Sequence, residues 1–129
     1  MIKSEVTGAT VVEHVLYRVP KMNHEAMLQI CKQTDEMFKQ HGILRYDVYQ
    51  LSNTQVPMEG FSNIASVMSA NQDEEVWVDS LYYKDPQHRN EVISKLEKDE
   101  RMGAIIKQSA DLMPGGAKIV IGEFHRLSV

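Results

Sequence analysis

Apolar and polar positions along this chain repeat with two different periods, and the order in which the periods follow one another predicts the fold. Residues 10–20, "TVVEHVLYRVP", are β-branched and aromatic and stop at a proline, which predicts a first strand. Between Asn23 and His41, the residues Ala26, Met27, Ile30, Thr34, Met37 and Phe38 recur at three- and four-residue steps, the spacing of an amphipathic helix. Gly42 stands where a left-handed C-cap belongs, and Asn23 where a side chain can accept from the free amides of the first turn. Residues 43–51 alternate and predict a second strand. "FSNIASVMS" (61–69) predicts a further short strand and "EVWVDSLYY" (75–83) a longer one. Asp85 and Pro86 form a cap and first-turn pair that opens a second helix with Val92, Ile93 and Leu96 inward. Met102, Ile105, Ile106, Ser109, Leu112 and Met113 make a third helical stripe, "MPGG" breaks it, and residues 117–127 predict the last strand.

This order is two split β-α-β halves, which predicts an α+β fold: a ferredoxin-like antiparallel sheet with helices on one face. The strand at 61–69 fits badly, because it upsets the alternation of strand directions. The first strand carries apolar residues at both parities, Val12 and Leu16 on one and Val11, Val15 and Val19 on the other. A face left to water would not need the second set, so two sheets packed face to face in a two-fold homodimer are expected.

Composition narrows the partners. The chain has 129 residues, 43% hydrophobic and 25% charged, with a formal net charge of -4. That length suits one domain, residues 1–129, and the mild negative balance disfavours nucleic acid and anionic membranes, which both attract basic surfaces. The single Cys31 leaves no internal disulfide, and the first residues lack the apolar run of a signal peptide, so a cytoplasmic location is expected.

Short segments spread over most of the chain resemble the YbaA-like proteins, a family of unknown function in the dimeric α/β-barrel superfamily. They are Val19-Pro20, Leu44-Arg45, Glu74 to Val76, Tyr83, Arg89, Asp99 to Met102, Met113-Pro114, and Gly122 with Phe124. The resemblance implies the dimeric α/β barrel and transfers no catalytic residue, since that family has no established mechanism. "ILRYDVYQ" (43–50) is also similar to the second strand of cofactor-free antibiotic-biosynthesis-type monooxygenases in the same superfamily.

Alternate residues of a strand point to opposite faces, which sorts the candidate chemistry. Leu44, Val48, Val12, Leu16, Val120 and Phe124 make an apolar set suited to packing under helices. The opposite set carries Glu13, Val15 and Tyr17, then Arg45, Asp47 and Tyr49, then Ile121, Glu123 and His125. Asp79 under the helices would be a carboxylate in the driest layer, so it is expected on the second face with Trp77 and Leu81. Arg45 would there be its counter-charge, in a hollow lined by Tyr17, Tyr49, Trp77, His125 and Glu13 and suited to a small organic ligand. The plainer alternative is that these charges satisfy one another or line a wet dimer interface.

The histidines show no HxxxH or HxH spacing, so no metal site is expected. Nor does any nucleotide fingerprint or phosphate loop suggest a cofactor. His14 is expected between the layers, His41 at the dipole of its helix, and Cys31 as a structural thiol. Two functions follow: a small-molecule-binding homodimer, with cofactor-free monooxygenase-like chemistry as its catalytic version, or a non-catalytic binding or regulatory homodimer.

Overall fold

The computed structural model describes residues 8–116 and 118–129, and within them four strands form one antiparallel sheet. The strands are β1 (Val11–Pro20), β2 (Arg45–Gln50), β3 (Glu74–Tyr83) and β4 (Val120–His125), in the spatial order β2-β3-β1-β4. Helices α1 (His24–Gln40), α3 (Pro86–Glu97) and α4 (Glu100–Leu112) follow the ferredoxin-like plan, and a one-turn helix α2 (Ile64–Val67) lies between β2 and β3. The α+β, ferredoxin-like expectation therefore holds. Among the described residues no helix is long and apolar enough to cross a membrane.

The local signals that held are the ones with a hydrogen-bonding reason. Asp85 accepts from the His88 amide at 2.7 Å with Pro86 at the first helical position, and Gly42 takes φ +90° just past α1. Residues 61–69 do not form a strand. Asn63 accepts from the Ser66 amide at 2.8 Å and starts α2 instead, so a side-chain cap overrides the weak β preference of this segment. Removing that strand removes the conflict of directions. Asn23 precedes α1 without capping it through its side chain; its Nδ2 donates to the Leu112 carbonyl at 2.9 Å and ties α1 to the end of α4.

Register decides which residues share a face. Val15 lies opposite Asp79 and Ile121, and Asp79 opposite Val48, so Val48, Asp79, Val15 and Ile121 form one row across the sheet. The odd residues of β1 and β3 point to the helices: Val11, Tyr17, Val19, Trp77, Leu81 and Tyr83 are all buried, against Met27, Cys31, Met37, Phe38, Val92 and Leu96. The opposite face is not covered by α1, α3 or α4; the one-turn α2 reaches its rim through Ile64, and the face presents Val12, Leu16, Val78, Val120 and Phe124.

The expected face assignment is thus inverted on three strands, β1, β3 and β4: Asp79, with Trp77 and Leu81, lies under the helices and not on the second face. Val12, Leu16, Val120 and Phe124 lie on the open face, whereas Glu13, Val15 and Tyr17 lie under the helices. The physical reason is that both parities of β1 are apolar, so composition could not rank them. Phe124 is 53% exposed, and its ring lies across Gly122, where an added Cβ would come within 3.0 Å of it.

Candidate functional site

A cavity of about 300 Å³ lies between the sheet and helices α1 and α4. It exists because α4 covers the sheet incompletely: its inward residues Met102, Ile105, Ser109, Leu112 and Met113 are only half-buried. Ile106, Ala110 and Ile119 are exposed and form an apolar rim. The polar groups on the wall are Tyr17, Cys31, Thr34, Tyr46, Asp79 and Ser109, and Asp79 is the only charged residue lining it among the described residues.

Asp79 is the centre of this arrangement. Its row neighbours Val48, Val15 and Ile121 offer it nothing, so its hydrogen bonds come from the adjoining rows. Tyr17 Oη donates to Oδ1 at 2.6 Å and Tyr46 Oη to Oδ2 at 3.0 Å. Burial pushes the Asp79 carboxyl up to about 6, against the pull of the two tyrosine donors. The same burial, with Asp79 next, drives both phenols far above the ordinary tyrosine range, so they stay protonated donors. Cys31 Sγ lies 3.8 Å from Tyr17 Oη, and burial followed by the Asp79 charge raises its thiol too. The cluster is a carboxylate of enhanced basicity clamped by two neutral donors at the edge of a dry space, a setting suited to exchanging a proton with a bound molecule.

The expected Arg45–Asp79 pair is overturned. Arg45 and Asp79 are on opposite faces, because Asp79 lies opposite Val48 and Arg45 has the other parity on β2. Arg45 Nε instead donates to Asp47 Oδ2 at 2.7 Å, and Tyr49 Oη donates to the same oxygen at 3.2 Å. Glu13 shares the helix face but joins a different cluster: it accepts from Tyr83 Oη at 3.1 Å and pairs with Arg89 at 3.0 Å, which also holds Glu123 at 2.7 Å. His125 is exposed at the end of β4, opposite Val11 and outside the cavity. Trp77 is buried beside Tyr17, ring centroids 6.3 Å apart, and its Nε1 donates to Glu75 at 2.9 Å.

Of the expected set, then, the fold brings together Asp79, Tyr17 and Trp77, and not Arg45, Tyr49, His125 or Glu13. Sequence reasoning missed Tyr46, and it treated Cys31 as packing alone. The available signal for Tyr46 was a hydroxyl on the same parity as apolar Val48 in a short strand.

The other histidines also find places. His14 is not between the layers: it lies on the open face, where its Nδ1 and Ser80 Oγ share a hydrogen bond of 2.8 Å. His41 follows α1 and binds Asp99 at 2.7 Å, and His24 binds Glu75 at 2.7 Å. Among the described residues no three His, Cys, Asp or Glu side chains gather where they could hold a metal ion. A second, wider hollow of about 700 Å³ lies on the open face, lined by His14, Leu16, Val78, Val120 and Phe124 with Ile64 of α2 at its rim.

Comparison with known proteins adds a family and a fold. Residues 10–113 match the family model described as protein of unknown function (DUF1428). A dimeric ferredoxin-like protein from an uncultured marine organism is similar in structure, with a TM-score of 0.59 at 10% identity over 95% of this chain and 93% of that one. A NIPSNAP family protein of unknown function from Agrobacterium tumefaciens gives 0.53 at 21% identity, over 94% and 93%. A mutant of SnoaB, a cofactor-independent oxygenase from Streptomyces nogalater, gives 0.52 at 10% identity, over 94% and 97%. At these identities the likeness is one of fold. No curated protein matches the chain.

Proposed function

The chain belongs to the DUF1428 family of proteins of unknown function, and from that premise we propose that it is a small-molecule-binding homodimer whose ligand occupies the cavity beside Asp79. The observation that carries this reading is the pair of tyrosine bonds to a buried carboxylate with no counter-cation among the described lining residues. A purely structural acid in the core is normally paired with a cation; this one borders empty space instead. Tyr17, Tyr46 and Asp79 are the ligand-binding groups in this reading, with Trp77 backing the wall. Arg45 and Tyr49 belong to the dimer face, and Glu13 and His125 have no role at the ligand.

The catalytic version is a cofactor-free enzyme, for which SnoaB is a precedent on a similar fold. Asp79 would take a proton from a bound substrate, the electron pair of the broken bond staying on the substrate, while Tyr17 and Tyr46 hold the carboxyl in place. The homodimer is supported by the apolar open face, where Tyr49, Val120 and Phe124 are more than two-fifths exposed, and by the dimeric ferredoxin-like protein of similar structure. The rest of the reading is a single domain over residues 1–129, a YbaA-like identity and a cytoplasmic location.

Native mass spectrometry on protein purified directly from cells tests both parts. The expected species is a dimer carrying a small molecule that denaturation releases. A folded monomer at every concentration overturns the homodimer, and a protein that neither retains nor captures any metabolite from a cell extract overturns the ligand.

A further inference from the structure

We infer that the cavity takes an uncharged ring compound that can donate a hydrogen bond, and that Asp79 excludes carboxylates and other anions from it. The inference rests on the binding reading above and gives it a ligand class.

Size comes first. At about 300 Å³ the cavity is at the lower end of known ligand sites, roughly 300–1,000 Å³, which fits one ring or two fused rings. Shape and chemistry follow from the walls. Phe38, Met102, Ile105 and Leu81 line the space with apolar surface, and Ile106 and Ile119 line its exposed side, so a ligand loses water where it meets the sheet, α1 and the inner side of α4.

The polar end sets the hydrogen-bond demand. Tyr17 and Tyr46 each have one hydroxyl proton, and both are spent on Asp79. Thr34 donates its own to the Ile30 carbonyl at 2.8 Å. At the Asp79 end of the cavity what remains is acceptor capacity on the carboxylate and the phenol oxygens, so there the ligand must bring the donor, while the Ser109 hydroxyl on α4 can donate or accept. A ligand that offers only acceptors would leave the Asp79 end unmatched.

Charge completes the selection. The lining residues are neutral except Asp79, and none is cationic among the described residues. An anionic ligand would therefore lose its hydration, meet no opposite charge and lie close to a like one. A neutral donor pays none of these costs. Burial keeps the carboxyl's proton affinity high, which is consistent with an anion meeting no electrostatic welcome here.

Cys31 is the only cysteine in the chain and lines this cavity, so it reports occupancy without any assay of activity. Methyl methanethiosulfonate is small and neutral; it transfers a methylthio group to a thiolate while methanesulfinate leaves. Its rate with the native protein at pH 8 is measured alone, with p-cresol, and with p-toluate, which has the same ring with a carboxylate in place of the hydroxyl. Saturating p-cresol is expected to slow labelling about tenfold while p-toluate changes it less than about twofold, as repulsion between like charges in a dry site requires. In Asp79→Asn, p-toluate is expected to gain protection; Asp79→Leu makes the same charge change if the asparagine variant does not fold.

Equal or better protection by p-toluate in the native protein overturns the inference, as does protection by neither compound; in both cases labelling itself still supports an open cavity. No gain for p-toluate in the variants overturns Asp79 as the excluding group. Native protein that the reagent cannot label even when the pH is raised to favour the thiolate, although the unfolded chain reacts, and that shows no bound p-cresol by native mass spectrometry, overturns the binding reading itself.

Discussion

The two faces of the sheet carry the same feature, a polar group set among apolar neighbours, and they accommodate it in opposite ways. On the covered face the row is Val48, Asp79, Val15 and Ile121; one residue along, on the open face, it is Asp47, Ser80, His14 and Gly122. The open row compensates its charge: His14 bonds Ser80, and Asp47 takes Tyr49 and the cation Arg45 from the rows on either side. The covered row does not: Asp79 draws two neutral hydroxyls from neighbouring rows and meets no cation among the described residues lining its cavity. Satisfied polar groups cost little to cover, which suits a docking face. An uncompensated carboxylate is strained toward its protonated form, which suits a site that exchanges protons or chooses its ligand by charge.

The comparison can be broken most directly at the open face. Phe124→Asp places a carboxylate where a second copy would bury an aromatic ring. Sedimentation should show dimer dissociation rising by a factor of more than about one hundred, roughly 3 kcal/mol or more, as expected for an unpaired charge in an interface. Unchanged association would mean that this face is not the dimer contact.

The covered face is sharpened by Asp79→Asn. A carboxyl at about 6 when folded and at the ordinary 3.8 when unfolded binds its proton more tightly in the native state. Its contribution to stability is therefore fully present below 3.8, declines as the pH rises through the window up to about 6, and is a net cost above it. That cost is about 3 kcal/mol at pH 8 from the difference of the two values, so urea unfolding should find Asp79→Asn more stable by that order at pH 8. The gap should narrow as the pH falls from about 6 and close below 3.8. A variant less stable at pH 8 would show that the native carboxylate is compensated after all.

Tyr17→Phe is the next smaller effect. It removes the shorter of the two bonds to Asp79, 2.6 Å against 3.0 Å for Tyr46, and should cost about 2 kcal/mol at pH 8 where the acceptor is charged. Carboxyl-carbon NMR should find Asp79 titrating at higher pH in Tyr17→Phe, and less so in Tyr46→Phe. The smallest effect is Ser80→Ala on the open face, about 1 kcal/mol for one neutral bond to His14, read by thermal unfolding. A loss comparable with that of Tyr17→Phe would erase the distinction between the faces.

Much of this molecule was legible in the amino-acid order because the signals were local. The caps at Asp85 and Gly42, the helical stripes of α1, α3 and α4, and the shared parity of Trp77, Asp79 and Leu81 each depend on residues within a turn or two of one another. The ferredoxin-like order follows from those elements and their sequence. Only the tertiary structure decided which parity of β1 meets the helices, and with it the partners of Asp79. Val11, Val15 and Val19 compete there with Val12 and Leu16 on nearly equal terms, since both faces of the sheet are apolar. Parity orders residues within a strand, but the relation between strands is set by register, and a shift of one residue exchanges the two faces. The tyrosines that hold Asp79 come from two other strands, 62 and 33 residues away in the chain, so nothing short of the paired sheet could have joined them.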